Sequence, residues 1–244
     1  MMKLIYLLIL PMFLYSCDSN GLFDGGEPLT KEVVIKKAFS RIETTSIFDI
    51  SLINDTINKI EITCGENLQK FIKIEEKEGI VSISHSVKYA WSRKYEKIKL
   101  KLHVNQDLII YAYEPLHFTT IGTFKASTFQ FVDWGKFCEV DVTVNSEYCG
   151  IFMGADSFGA YTVKGKCTDS EIWAGGSSKV QADSLISDNC FVRQRGWGDV
   201  YINVMKQLKI KFECISTIYY KSTPSEITVD DHLFAGKVIK LENK

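Results

Sequence analysis

The sequence predicts an all-β protein, a stack of parallel β-helix-like coils of about 20 residues preceded by additional N-terminal β-strands. Three observations carry this reading. Apolar positions led by small or turn-forming residues recur at Ile121, Val140, Ala160, Val180, Val200 and Ile218, with successive spacings of 19, 20, 20, 20 and 18 residues. Such a period marks a stacked repeat, in which neighbouring coils bury a core that no single coil could bury alone. Upstream, from Phe39 to Tyr113, apolar residues alternate with polar ones at period two. Windows with a helical period are few in that range.

Taken in order, residues 1–16 read as an export signal: Lys3 opens the chain and an apolar run extends from Leu4 to Tyr15. The run is too short to span a bilayer and no second apolar stretch follows it. Leu14-Tyr15-Ser16-Cys17 resembles a bacterial lipoprotein box, although Tyr15 departs from the small residue usual there, and makes Cys17 the expected lipidation site. An ordinary cleaved signal with an incidental cysteine is the alternative. Residues 17–38, rich in glycine, aspartate and lysine, read as a tether. Beyond the signal the chain carries 28 basic and 30 acidic residues, a balance that excludes the basic face of a nucleic-acid binder.

Residues 39–113 form the strand region, where Phe48, Ile50 and Leu52 alternate, as do Ile60, Ile62 and Cys64, and Ile98, Leu100, Leu102 and Val104. Asn54-Asp55, Gly65-Glu66-Asn67 and Glu78-Gly79 supply the turns. The repeat region covers 114–227, with its best copies at Gly175-Gly176-Ser177-Ser178 and Arg195-Gly196-Trp197-Gly198. Twenty residues at about 3.3 Å each give a perimeter of roughly 66 Å, enough for three short sides and their corners. The last segment, 228–244, is expected to be a strand or cap, because an open stack must protect its terminal coils from edge pairing. The N-terminal strands are expected to cover one end.

The order of the Gly65-Glu66-Asn67-Leu68 turn, the Gly79-Ile80-Val81-Ser82-Ile83 strand, the Ile98, Leu100, Leu102 strand, Pro115-Leu116 and glycine- or serine-led coils closing on Ile218-Tyr219-Tyr220-Lys221 resembles the head-GIN (putative auto-transporter adhesin) family. The resemblance runs from Phe39 to Ile227 and implies a right-handed β-helix on an exported protein of the Bacteroidetes type, often a lipoprotein. It implies an adhesin-like role and carries over no catalytic residue. Ile121-Gly122-Thr123 and Cys214-Ile215-Ser216 depart from the family's small-residue corners.

The residues themselves point to binding more than to chemistry. His85, His103, His117 and His232 are isolated, and Asp141, Asp156, Asp169, Asp183 and Asp199 fall at different phases of the repeat, so neither set forms a catalytic or metal-binding stripe. No Cys-x-x-Cys spacing occurs, and neither a metal nor a cofactor is expected. The six cysteines after Cys17, Cys64, Cys138, Cys149, Cys167, Cys190 and Cys214, read as small buried thiols of the coil interior; the alternative is a disulfide between Cys149 and Cys167, the one pair on adjacent coils at matching parity. Trp134, Trp173 and Phe212, with Phe152 and Met153, fall at similar phases and read as core stacking between coils, an outward sugar platform being the alternative. Trp197, at a corner near Arg193 and Arg195, is the candidate ligand contact, or else a corner cap.

Three functions are consistent with these features. The first is an envelope lipoprotein, held to the outer membrane by its N-terminal lipid, whose β-helical surface binds a glycan or protein. The second is a structural or envelope-stress scaffold in the periplasm. The third, a polysaccharide-acting enzyme, rests on fold analogy alone. Homo-oligomers through an uncapped end are compatible with all three.

Overall fold

The structure, a computed structural model, describes residues 25–87, 97–230 and 236–242. The signal segment, Cys17, the first part of the expected tether (residues 18–24) and His232 lie outside these residues, while within the rest of that expected tether Pro28–Val34 is a strand of the sheet. The described chain is nearly all β, a solenoid of about six turns with additional N-terminal strands. One 3-10 helix, Glu66–Phe71, interrupts the strands and buries Leu68.

Each regular coil is one long bent strand followed by a tight turn. Glu139–Met153, Ala160–Ala174, Lys179–Gln194 and Val200–Phe212 pair in parallel, and each contributes its first half to one face of the solenoid and its second half to the other. The coil before Glu139–Met153 lies against it as three separate segments, His117–Thr120, Phe124–Lys125 and Thr128–Asp133, with Phe124–Lys125 opposite Val144 and Asn145. Inward residues alternate with outward ones along each half, as a pleated strand requires. The interior is filled by Val140, Val142 and Val144, Ile151, Val180, Val192, Val200 and Ile210. Between these coils and the N-terminal ones lies an aromatic layer in which Phe118, Phe124, Phe129, Phe131 and Tyr161 meet with centroids 5.3 to 6.5 Å apart.

The registers correct two of the six repeat anchors. Val140 pairs with Phe118 and with Tyr161, and Tyr161 pairs with Val180. Phe118 and Tyr161 therefore hold the inward positions, while Ile121 is 48% exposed and Ala160 points out. The turns differ in length, and a slip of one residue moves a side chain to the opposite face.

The N-terminal region is threaded out of sequence order. Arg41–Thr44 lies between Ile80–His85 and Leu108–Ala112, and Asp49–Asn54 lies between Lys99–Val104 and His117–Thr120, all in parallel. The coil formed by residues 41–54 is thus inserted between coils that follow it in the chain. Beyond it the stack ends in antiparallel strands: Lys59–Gly65 pairs with Lys99–Val104, Pro28–Val34 with Lys59–Gly65, and Ile72–Lys77 with Ile80–His85. These closing strands carry Pro28, Lys31, Glu32, Lys73, Glu75 and Glu76, charges and a proline that discourage further pairing. At the other end Glu226–Asp230 and Lys237–Lys240 stack in parallel on Val200–Phe212 and Thr217–Tyr220 as a last, largely exposed coil.

Candidate functional site

On the outer side of the second-half strands, one rung aligns Tyr111, Val132, Phe152, Trp173, Arg193 and Lys211 across successive coils. Two residues earlier the next outward rung aligns Gln130, Gly150, Glu171 and Phe191. Gly150 leaves a gap in this second rung, and the Phe152 ring fills part of it: a Cβ at position 150 would sit 2.6 Å from a Phe152 ring carbon. The neighbouring turn adds Trp134, 54% exposed. Together these residues enclose an open cleft of about 330 Å³, lined by Tyr111, Trp134, Phe152 and Trp173 with Gln130, Glu171 and Arg195 at its polar edge.

The aromatic walls are fixed by their neighbours. Phe152 and Trp173 meet edge to face, with centroids 5.3 Å apart and planes at 86°. The Trp173 indole N–H donates to Glu171 Oε1 at 2.7 Å, and Tyr148 donates to Glu171 Oε2 at 2.6 Å. Burial, reinforced by the Glu171 carboxylate, pushes the Tyr148 phenol above its usual range, so it remains a donor at neutral pH. The Arg193 guanidinium lies over the other part of Trp173, 5.1 Å from the ring centroid, and its Nε donates to Glu213 Oε1 at 2.9 Å. Arg195 and Lys211 also approach Glu213, each at 3.5 Å. Burial alone would raise Glu213, but the hydrogen bond from Arg193 and the charges of Arg193, Lys211 and Arg195 together outweigh it and hold the carboxyl below its ordinary value. Two ordered carboxylates thus anchor a tryptophan and two arginines at one end of the cleft.

Beneath Trp134, Asp133 is 1% exposed and organises two turns. Its carboxylate accepts from Tyr161 Oη, from Ser157 Oγ at 3.0 Å, from Cys138 Sγ at 3.1 Å and from the Lys136 N–H at 3.0 Å. Burial, then the Asp133 charge, drives both the Tyr161 phenol and the Cys138 thiol well above their usual ranges, which keeps them protonated donors. A buried carboxylate with four donors is a structural hub. Asp133 has no free approach for a reactant.

The aromatic ladder divides by face. Phe212 and Met153 point inward as core residues, whereas Trp134, Trp173 and Phe152 point outward, so the core reading holds for only part of the set. Distance from the anchor mixed the two faces because the turns vary in length. Aligning coils on the strand before each turn reveals the outward ladder, and that alignment also adds Tyr111, Gln130 and Glu171, which the sequence reading did not include. Of the ligand candidates, Arg195 lines the cleft and Arg193 backs Trp173. Trp197 is not among the lining residues; it stands 76% exposed on a turn.

Several other sequence candidates are in structural pairs: Asp141 with Lys164 at 2.7 Å, Asp156 with Lys136 at 2.7 Å, and Asp169 with Asn189 at 2.8 Å. His103 is buried between Asp55 and Glu61, and His117 pairs with Asp49. Among the described residues, no group of three or more His, Cys, Asp or Glu side chains is placed to hold a metal ion, and no helix is long and apolar enough to cross a membrane. All six cysteines after Cys17 are free and buried, as the buried-thiol reading has it, and the one pair considered for a bridge, Cys149 and Cys167, is not joined. Ser170 stands in register between Cys149 and Cys190, which keeps that pair two coils apart.

The family model described as "Putative auto-transporter adhesin, head GIN domain" matches residues 38–224. No curated protein matches the chain. Among solved structures, a putative adhesin from Bacteroides fragilis superposes with a TM-score of 0.77 at 13% identity, covering 89% of this chain and 99% of that one. A putative adhesin from Parabacteroides distasonis gives 0.62 at 16% identity, covering 89% and 99%. A putative lipid binding protein from the same organism gives 0.62 at 15% identity, covering 90% and 99%. Identities this low speak to the shared solenoid.

Proposed function

We propose that this chain, which belongs to the "Putative auto-transporter adhesin, head GIN domain" family, is an adhesin-like binding protein of the cell envelope whose aromatic cleft holds a saccharide. The observation that carries the reading is the cleft itself: Tyr111, Trp134, Phe152 and Trp173 converge on it, with Phe152 and Trp173 set edge to face, beside Gln130, Glu171 and Arg195. A pyranose ring presents an apolar face of C–H groups and an equatorial edge of hydroxyls. The first packs on Trp and Phe faces, whose π surface is electron-rich, and the second needs donors and acceptors held in place. Glu171 and Arg195 are held by Tyr148, Trp173 and Glu213, so little side-chain entropy remains to be lost on binding.

The role is binding without catalysis. Cleavage of a glycosidic bond calls for two carboxyl groups across the scissile oxygen. In the cleft Glu171 already receives two hydrogen bonds and Asp133 is closed off by four donors, an arrangement suited to fixing walls. Export by residues 1–16 and lipid attachment at Cys17 would hold the solenoid at the outer membrane, with the chain ahead of the Pro28–Val34 strand as the link.

A glycan array probed with the purified protein tests the reading. Wild type is expected to retain a defined set of saccharides, Trp173→Ala to lose at least about tenfold in affinity through the missing stacking face, and Trp197→Ala to bind as wild type. Absence of any glycan signal, or full binding by a folded Trp173→Ala, would remove the cleft as the site.

A further inference from the structure

Along the edge where second-half strands turn into first-half strands, the coils are in register through backbone hydrogen bonds. Glu139 N–H donates to Leu116 O at 2.9 Å, Ala160 to Cys138 O at 3.0 Å and Lys179 to Gly159 O at 3.1 Å, while Val180 pairs with Val200 and Val200 with Ile218. Cys138, Gly159, Ser178, Gly198 and Ser216 are therefore equivalent. The residue before each points outward: Phe137, Phe158, Ser177, Trp197 and Ile215. Four of these five are large and apolar, and they are 57 to 76% exposed. Phe137 and Phe158 stack with centroids 5.5 Å apart and planes at 15°. At about 4.8 Å per coil the row is roughly 19 Å long, a contiguous apolar ridge of the kind that marks an interaction surface.

The surroundings of the ridge select its partner. Charges beside it are balanced, with Lys136 on Asp156 at 2.7 Å and Arg195 near Glu213 at 3.5 Å, so it lacks the basic excess that draws a protein to an anionic lipid surface. The row also has an internal step: Ser177, between Gly175-Gly176 and Ser178, is a notch one coil away from Trp197, the most protruding side chain. A two-fold axis crossing the ridge between these coils brings Trp197 of each copy against the Ser177 notch of the other. The same operation sets Phe158 against Ile215, and the exposed Lys179 against Asp199, its equivalent one coil on. Large meets small, apolar meets apolar and plus meets minus under one symmetry element, which is what an isologous interface requires. We infer that a second copy of this chain docks on the ridge, with the two solenoids antiparallel and Trp197 as the central anchor. The inference is independent of what the cleft binds.

Sedimentation equilibrium of the full chain in density-matched detergent is the first test, with a monomer–dimer equilibrium expected. Trp197→Ala should raise the dissociation constant by about 30-fold or more, the effect of truncating a tryptophan hot spot. Because Trp197 is exposed, the variant is expected to melt as wild type does. Orientation follows from cross-linking with a short bismaleimide. A mixture of Phe158→Cys and Ile215→Cys chains should give a covalent dimer, whereas either variant alone should not, its two copies being offset by about 14 Å along the axis, three coil steps. Protein that remains monomeric at its highest soluble concentration, or that binds lipid vesicles as a monomer, would overturn the inference. So would homotypic cross-linking of either variant in preference to the mixed pair.

Discussion

Replacing Asp133 with alanine separates two opposing effects that meet in one buried carboxylate. The side chain accepts four hydrogen bonds, from Tyr161, Ser157, Cys138 and the Lys136 N–H, and ties the turn after Thr128–Asp133 to the turn before Ala160–Ala174. Hydrogen bonds to an ionised group contribute about 1.5–3 kcal/mol each, and burying the charge costs several kcal/mol that the alanine variant recovers. Two hydroxyl donors, a thiol and a backbone donor lose their acceptor. Ser157 and Tyr161 still have each other at 3.1 Å, and Ser157 has the Lys136 carbonyl at 3.4 Å, so the loss is only partly compensated. The balance is a destabilisation of about 3–5 kcal/mol. For a chain of this size each kcal/mol shifts Tm by about 2–4 °C, so Asp133→Ala should melt roughly 6–20 °C below wild type in a thermal scan at neutral pH. Tyr161→Phe, which removes one donor and leaves the ring in the aromatic layer, should melt between the two. An Asp133→Ala protein that melts at or above the wild-type temperature would show that desolvation outweighs the four bonds, and the hub would lose its structural role.

Two further outcomes are expected. The thiols of Cys64, Cys138, Cys149, Cys167, Cys190 and Cys214 should label with maleimide only after denaturation. All are buried, and burial first, with neighbouring charges second, pushes Cys167 up to about 12, while burial alone dominates at Cys190, also raised to about 12; the thiolate fraction at pH 8 is then about one part in ten thousand. Rapid labelling of any of them in the native protein would contradict the packing. On intact cells, external protease should remove the protein while a periplasmic control stays whole. Survival of a chain that the same protease cuts after lysis would favour the periplasmic scaffold.

How far the sequence reveals this molecule depends on what each signal encodes. The 20-residue period is legible because stacked coils repeat one chemical environment, and Val140, Val180, Val200 and Ile218 do share a column. Ala160 lies one residue from the column position Tyr161 and Ile121 three from Phe118, because turns of unequal length leave the period near 20 while an odd offset reverses which side chain faces in. Alternation around Phe48 and Ile50 announces a half-buried strand but says nothing of its neighbours. The insertion of residues 41–54 between later coils, and the antiparallel cover beyond it, were therefore invisible. The cleft was visible only in pieces. Trp134, Trp173 and Phe152 were recognised as a ladder and Arg195 as a neighbour, yet Tyr111 and Glu171 join them through registers that no local pattern records. Trp197 stood out for its glycine and arginine neighbours, and its equivalence with Phe158 and Ile215 emerges once the turns are stacked.

The central claim, adhesion through the aromatic cleft, is tested most directly by the attachment of cells that produce this protein to a surface coated with the best saccharide from the array. Deleting the protein should lower attachment, wild type should restore it, and Trp173→Ala, present at the same level on the cell, should not. Equal attachment by the deletion strain, or full restoration by Trp173→Ala, would contradict the claim.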